Sequence, residues 1–123
     1  GLHYQLEFPQ GKLVRAVIGA ILDVAVDIRL GSPTYGRYVA VELSAENKKM
    51  LYVPEGFAHG YLVISDKSIV SYKCTNFFNP KDEHGIRWND KTIDVDWGNN
   101  SPIISKKDDN LPFLKYQKHL PKY

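Results

Sequence analysis

Apolar and polar positions alternate with a period of two along much of the first 75 residues. In 23–29 (DVAVDIR), Val24, Val26 and Ile28 alternate with Asp23, Ala25, Asp27 and Arg29, as in a strand that buries one face and leaves the other polar. The longer segment 11–29 adds Val14, Val17 and Ile21 and is interrupted by Gly19 instead of helix caps, which predicts two strands meeting at a turn there. A Gly/Ser/Pro turn follows in 31–36 (GSPTYG), and 37–43 (RYVAVEL) resumes the alternation. After the polar turn 44–49, where Ser44 and Asn47 suit side-chain capping, comes a short apolar run at 50–53. Segment 54–65 (PEGFAHGYLVIS) reads as a Pro/Gly loop carrying His59 and leading into a β-branched strand, and 68–75 as one more strand. Beyond Asn76 the pattern thins to short strands and loops, with at most a short helix at 105–110 (SKKDDN). Strands at this spacing predict an all-β sandwich or jelly roll.

Composition narrows the picture without changing it. With 123 residues, 43% of them hydrophobic, the chain can bury one core, so residues 1–123 read as a single domain. Its 16 Lys and Arg against 14 Asp and Glu give a net charge of +2, spread too evenly for a nucleic-acid stripe or a basic membrane patch. Even the densest basic stretch, Lys106, Lys107, Lys115 and Lys118, is broken by Asp108 and Asp109. Cys74 is the sole cysteine, no internal disulfide can form, and a cytoplasmic location is the expectation. No apolar run approaches the roughly 20 residues that cross a bilayer as a helix. No nucleic-acid or membrane partner is therefore expected.

Candidate chemistry lies in three places: His3 in GLHYQ, His59 in PEGFAHGY, and Tyr72 with Lys73 in VSYKCTN. Taken singly, such residues are more often structural than catalytic. Seven strings in one order raise their standing: GLHYQ, QGKLVR, DVAVDIR, GSPTYG, VELSAENKK, PEGFAHGY and GIRWND. Together they resemble the dTDP-4-dehydrorhamnose 3,5-epimerase family over most of residues 1–108. The resemblance implies a cupin-type jelly roll, or double-stranded β-helix, with a short helical or irregular C-terminal segment.

It also implies a mechanism, in which His3 is the general base that removes a proton beside a ketone. Asp108 orients the imidazole, with the adjacent Asp109 as the alternative. Lys12 of QGKLVR is implied to donate to the C4 oxygen as it becomes an enolate, where a fixed cation favours the transition state over the ground state. Tyr72 is implied to return a proton on the opposite face of the sugar. His59, Lys73 and Gln5 are implied to contact substrate, and the pair Phe77 and Phe78 to pack on the nucleotide base, Phe78 lacking the hydroxyl of the family's frequent tyrosine.

An arginine that precedes GLH in the family has no counterpart in a chain opening at Gly1, so an upstream N-terminal segment is expected to be missing. A cupin metal site would need a second histidine where Gln5 stands, and amide oxygen is a poor ligand for transition metals, so no metal and no organic cofactor are expected. The implied partners are a dTDP-sugar substrate and a second copy of the chain in a homodimer. Two rivals stay open: an epimerase acting at C3 or C5 alone of another 4-keto sugar nucleotide, and a sugar-nucleotide-binding cupin without activity.

Overall fold

A computed structural model describes residues 1–123. Eight strands form in chain order: β1 (His3–Gln5), β2 (Lys12–Ile18), β3 (Ala20–Asp27), β4 (Tyr38–Ser44), β5 (Met50–Val53), β6 (Phe57–Val63), β7 (Ile69–Cys74) and β8 (Glu83–Gly85). One short helix, α1 (Lys106–Asp109), follows, and Ser105 caps it by accepting from the Asp108 N–H. A five-stranded antiparallel sheet runs β4-β3-β6-β1-β8, and a three-stranded sheet runs β5-β2-β7. This is the all-β, cupin-type jelly roll that the alternation and the family resemblance predict.

The β2–β3 turn falls on Gly19, as its sequence position predicts. Gly19 has φ of 75°, and a Cβ there would sit 2.0 Å from the Lys67 carbonyl oxygen, so the turn admits glycine alone. His59 differs from expectation. It lies inside β6 rather than on the entry loop, because β6 pairs in register with β3 from Phe57 onward.

The larger surprise is β3, which has cores on both faces. Val24, Val26 and, just beyond the strand, Ile28 pack outward with Leu2, Tyr4, Ala58, Ile86, Ile93, Trp97 and Leu114. Ile21 and Ala25 pack inward with Val14, Ala16, Leu43 and Val53 between the two sheets. The outer core exists because the irregular C-terminal stretch folds over the five-stranded sheet. Leu114 is buried, the Tyr4 hydroxyl donates to the His119 carbonyl, and Leu30 bridges Lys122. Each fully buried aliphatic side chain in these cores contributes about 1.5–3 kcal/mol relative to exposure.

Asp23 and Asp27, expected on a polar face, are therefore buried. Asp27 is compensated in full. It accepts from Arg29 Nε and Nη2, both at 2.9 Å, from Ser32 Oγ at 2.5 Å and from Thr34 Oγ1 at 2.6 Å. Burial alone would raise its carboxyl, but these donors outweigh burial and hold it far below the ordinary carboxylate range. A group depressed in this way stabilises the fold above its unfolded-state value, and that stability fades as pH falls toward the folded-state value. Asp27→Asn should cost about 1–3 kcal/mol at pH 7, with a smaller deficit at about pH 3. Urea unfolding at both pH values checks this, and an equal deficit at the two would contradict it.

Candidate active site

Strand parity gathers the candidate residues. On the five-stranded sheet the inward positions are His3 and Gln5 of β1, Asp23 of β3 and His59 and Tyr61 of β6, with His3 directly opposite His59. On the facing sheet they are Lys12 of β2 and Tyr72 and Cys74 of β7, with Lys12 opposite Cys74. These side chains, with Gln10, Phe78, Glu83 and Asp108, surround a cavity of about 560 Å³ open on one side. Asp23 stands behind it, reached through His59.

His3 sits between two carboxylates. Its Nε2 is 2.8 Å from Asp108 Oδ1, and its Nδ1 is 3.1 Å from Glu83 Oε1. Burial pushes the imidazole below its ordinary value despite the pull of Asp108 and Glu83. Burial works against the Asp108 carboxylate too, while His3 favours its charged form. Neutral imidazole beside ionised carboxylate near pH 7 is the resting state a general base needs. Of the two neighbouring aspartates, α1 turns Asp108 toward His3, while Asp109 pairs with Arg87 at 2.8 Å on the surface.

Lys12 enters the cavity without a carboxylate partner, and burial pushes its ammonium below the ordinary value, partly offset by Cys74, Glu83 and Asp23. An unpaired, half-buried cation is costly to the fold and is suited to meeting charge that develops on a ligand oxygen. Tyr72 is about half exposed and lines the cavity from the sheet opposite His3.

Besides Glu83, two further residues unmarked by the sequence join the constellation. Asp23 Oδ1 lies 2.6 Å from His59 Nε2 with both groups buried, and Asp23 Oδ2 has no hydrogen-bond partner. Its only sequence signal was its place on a presumed polar face. Tyr61 lines the cavity near Tyr72, and burial pushes its phenol up, with Tyr72 and Asp23 adding to the effect.

The structure does not bring every candidate to the cavity. Lys73 alternates with Tyr72 and Cys74, lies opposite Leu13, and is exposed on the outer side of the three-stranded sheet, so the contact expected of it is corrected. Gln5 borders the cavity, but its amide is committed to the chain. Nε2 donates to the Phe8 and Phe77 carbonyls at 2.7 and 3.1 Å, and Oε1 accepts from the Asn79 N–H at 2.8 Å. Gln5 thus fastens the loop that bears Phe78 rather than offering a free polar group. Phe78 borders the cavity at 62% exposure, whereas Phe77 is 91% exposed and outside it. No group of three or more His, Cys, Asp or Glu side chains is arranged to hold a metal ion.

An antiparallel jelly roll with a histidine–carboxylate pair, an unpaired lysine and a tyrosine around one cavity belongs to the cupin class, and its site is furnished for moving protons. A family model for dTDP-4-dehydrorhamnose 3,5-epimerase matches residues 1–116, and the chain belongs to that family. It is 56% identical over 111 residues to the dTDP-4-dehydrorhamnose 3,5-epimerase of Shigella flexneri, a match covering 89% of this chain and 61% of that protein. With the enzyme of the same name from Methanothermobacter thermautotrophicus it shares 52% identity over 118 residues, 94% of this chain and 64% of the relative. The crystal structure of the Legionella pneumophila dTDP-6-deoxy-D-glucose-3,5-epimerase in complex with dTDP-4-keto-L-rhamnose superposes with a TM-score of 0.97 at 44% identity, covering all of this chain and 67% of that one. A 3'-monoepimerase from Streptomyces bikiniensis in complex with dTDP-quinovose gives 0.93 at 35% identity, covering all of this chain and 65% of that one. The chain thus spans about three fifths of the length of the Shigella and Methanothermobacter relatives.

Because the Lys12 ammonium is desolvated without a partner, Lys12→Met should leave stability unchanged or raise it by about 1 kcal/mol. Thermal melts of the two proteins check this, and a clear fall in Tm would show that the lysine supports the fold.

Proposed function

We propose that the chain epimerises carbons flanking the C4 ketone of a dTDP-linked 4-keto-6-deoxyhexose, giving dTDP-4-dehydrorhamnose. The observation that carries this reading is the placement of His3 and Tyr72 on facing sheets around one cavity, with Lys12 beside them. Inversion at carbon needs a base on one side of the enolate and an acid on the other, which one residue supplies poorly. His3, oriented by Asp108, removes the proton next to the ketone. The Lys12 ammonium meets the negative charge that gathers on the C4 oxygen, and Tyr72 returns a proton from the opposite side. His59, fixed by Asp23, contacts the sugar, and Phe78 packs on the thymine at the cavity rim.

The reaction draws its acidity from the substrate's own ketone and its charge stabilisation from a fixed ammonium, so no cofactor enters the proposal. We place the protein in the cytoplasm, as a homodimer, feeding a deoxysugar into polysaccharide synthesis. The relatives support the substrate class: the Legionella enzyme was solved with dTDP-4-keto-L-rhamnose and the Streptomyces enzyme with dTDP-quinovose.

The test is solvent deuterium incorporation into dTDP-4-keto-6-deoxyglucose, followed by proton NMR. Deuterium at both C3 and C5 is the expected result; at one carbon it shows a monoepimerase, and with none the enzyme reading fails and a binding protein remains. His3→Ala should slow exchange about 10²–10⁴-fold with the fold intact, the usual contribution of a positioned base. Near wild-type exchange in that variant would remove His3 from its role. Tyr72→Phe should keep the exchange that follows proton loss but slow net inversion about 10²-fold or more, and an unchanged inversion rate would assign the acid elsewhere.

A further inference from the structure

We propose that Asp82 is a positioning residue for the nucleotide half of the substrate: its carboxylate gathers the backbone of the β1–β2 loop and locks it to the loop that presents Phe78. The inference rests on the reading that Phe78 packs on the thymine, and is independent of which residue moves the proton. Asp82 is 5% exposed, in the 3-10 turn Pro80–Asp82 that follows the Phe78 loop. Three consecutive N–H groups converge on it, Leu6 and Glu7 donating to Oδ1 at 3.2 and 3.0 Å and Phe8 to Oδ2 at 2.8 Å. Successive amides aimed at one point form a concave anion seat, and here the chain fills it with its own carboxylate. Burial opposes the charge, but the three donors outweigh it and hold the carboxyl below the ordinary range. The carboxylate is spent on this loop, since His84 Nε2 stays 3.6 Å from Oδ1, beyond hydrogen-bonding distance.

The grip reaches the cavity through the rest of the rim. The loop that Asp82 holds runs on to Gln10, which borders the cavity and donates from Nε2 to the Asn76 carbonyl at 2.8 Å. Gly11 then donates to Thr75 Oγ1 at 2.9 Å and accepts from the Thr75 N–H at 3.0 Å. With Gln5 bridging the Phe8 and Phe77 carbonyls, segments 6–11 and 75–79 form one laced rim, and Phe78 stands on it at the mouth of the cavity. At 62% exposure Phe78 belongs to neither core, so its place over the mouth depends on this lacing. A loosened rim must be ordered when the base packs on it, which costs affinity. Lys12 lies beyond the lacing, paired with Val53 on one side and Cys74 on the other, so its place in the cavity does not depend on Asp82.

The test compares dTDP affinity by calorimetry in wild type, Asp82→Asn and Phe78→Ala, together with kcat and KM for deuterium exchange into dTDP-4-keto-6-deoxyglucose. In Asp82→Asn an amide donor replaces one acceptor oxygen, and dTDP binding should weaken about tenfold, with KM rising in step and kcat within about twofold of wild type. A second measurement needs no variant. In wild type, dTDP should slow hydrogen exchange at the Leu6, Glu7 and Phe8 amides more than at the β4 amides, because a grip that favours the nucleotide is favoured by it in return. Unchanged dTDP affinity in Asp82→Asn, a fall in kcat at unchanged KM, or protection of the three amides no greater than that of β4 would overturn the proposal. Weakened binding in Asp82→Asn with unchanged binding in Phe78→Ala would sustain the role of Asp82 and remove Phe78 from the seat of the base instead. Should Asp82→Asn fold poorly, the amide exchange of the wild type still decides the matter.

Discussion

The site depends on one constraint, the strict period of two that sends alternate side chains of two facing sheets inward. His3, Asp23, His59 and Tyr61 share the inner face of one sheet, and Lys12, Tyr72 and Cys74 the inner face of the other, so a single residue of slippage in any of these strands would empty the cavity of its chemistry. The in-register ladder from Ile21↔Val63 to Asp27↔Phe57 fixes the phase of the central pair, and the hydrophobic core on each side makes a slip prohibitive. The apolar packing that gives stability thus also sets the geometry of proton transfer.

Electrostatics in the cavity run against stability. Lys12 is desolvated without a partner, Asp23 keeps one buried oxygen unbonded, and His3 is held neutral by burial between two carboxylates. Asp27, away from the cavity, shows the contrasting solution, a buried carboxylate whose donors are complete. A site left incomplete where a ligand would sit, beside a scaffold that is satisfied elsewhere, is the pattern of preorganisation for a transition state, with the cost carried by the surrounding core.

The strands of the first 75 residues were legible because alternation and turn residues agree at Gly19, 31–36 and 44–49. What the alternation could not show was that the outer face of β3 would also be covered, since its cover comes from Ile93, Trp97 and Leu114 in an irregular stretch with no period to read. That omission made Asp23 look like a solvated residue and hid its pairing with His59. The string-level resemblance identified His3, Lys12, Tyr72 and Asp108, which the fold brings to one cavity, but said nothing of side-chain direction. Lys73, one position from Tyr72, faces away, and Gln5 spends its amide on the Phe78 loop. Glu83 escaped notice because the strand that presents it is three residues long and follows a single 3-10 turn.

The most direct test of the account is a crystal structure of the chain with a dTDP-linked 6-deoxyhexose bound. The account predicts the hexose ring between His3 and Tyr72, one on each side, with the C4 oxygen within hydrogen-bonding distance of Lys12 Nζ. A hexose bound with both rings on the same side, or with its C4 oxygen turned away from Lys12, would contradict it.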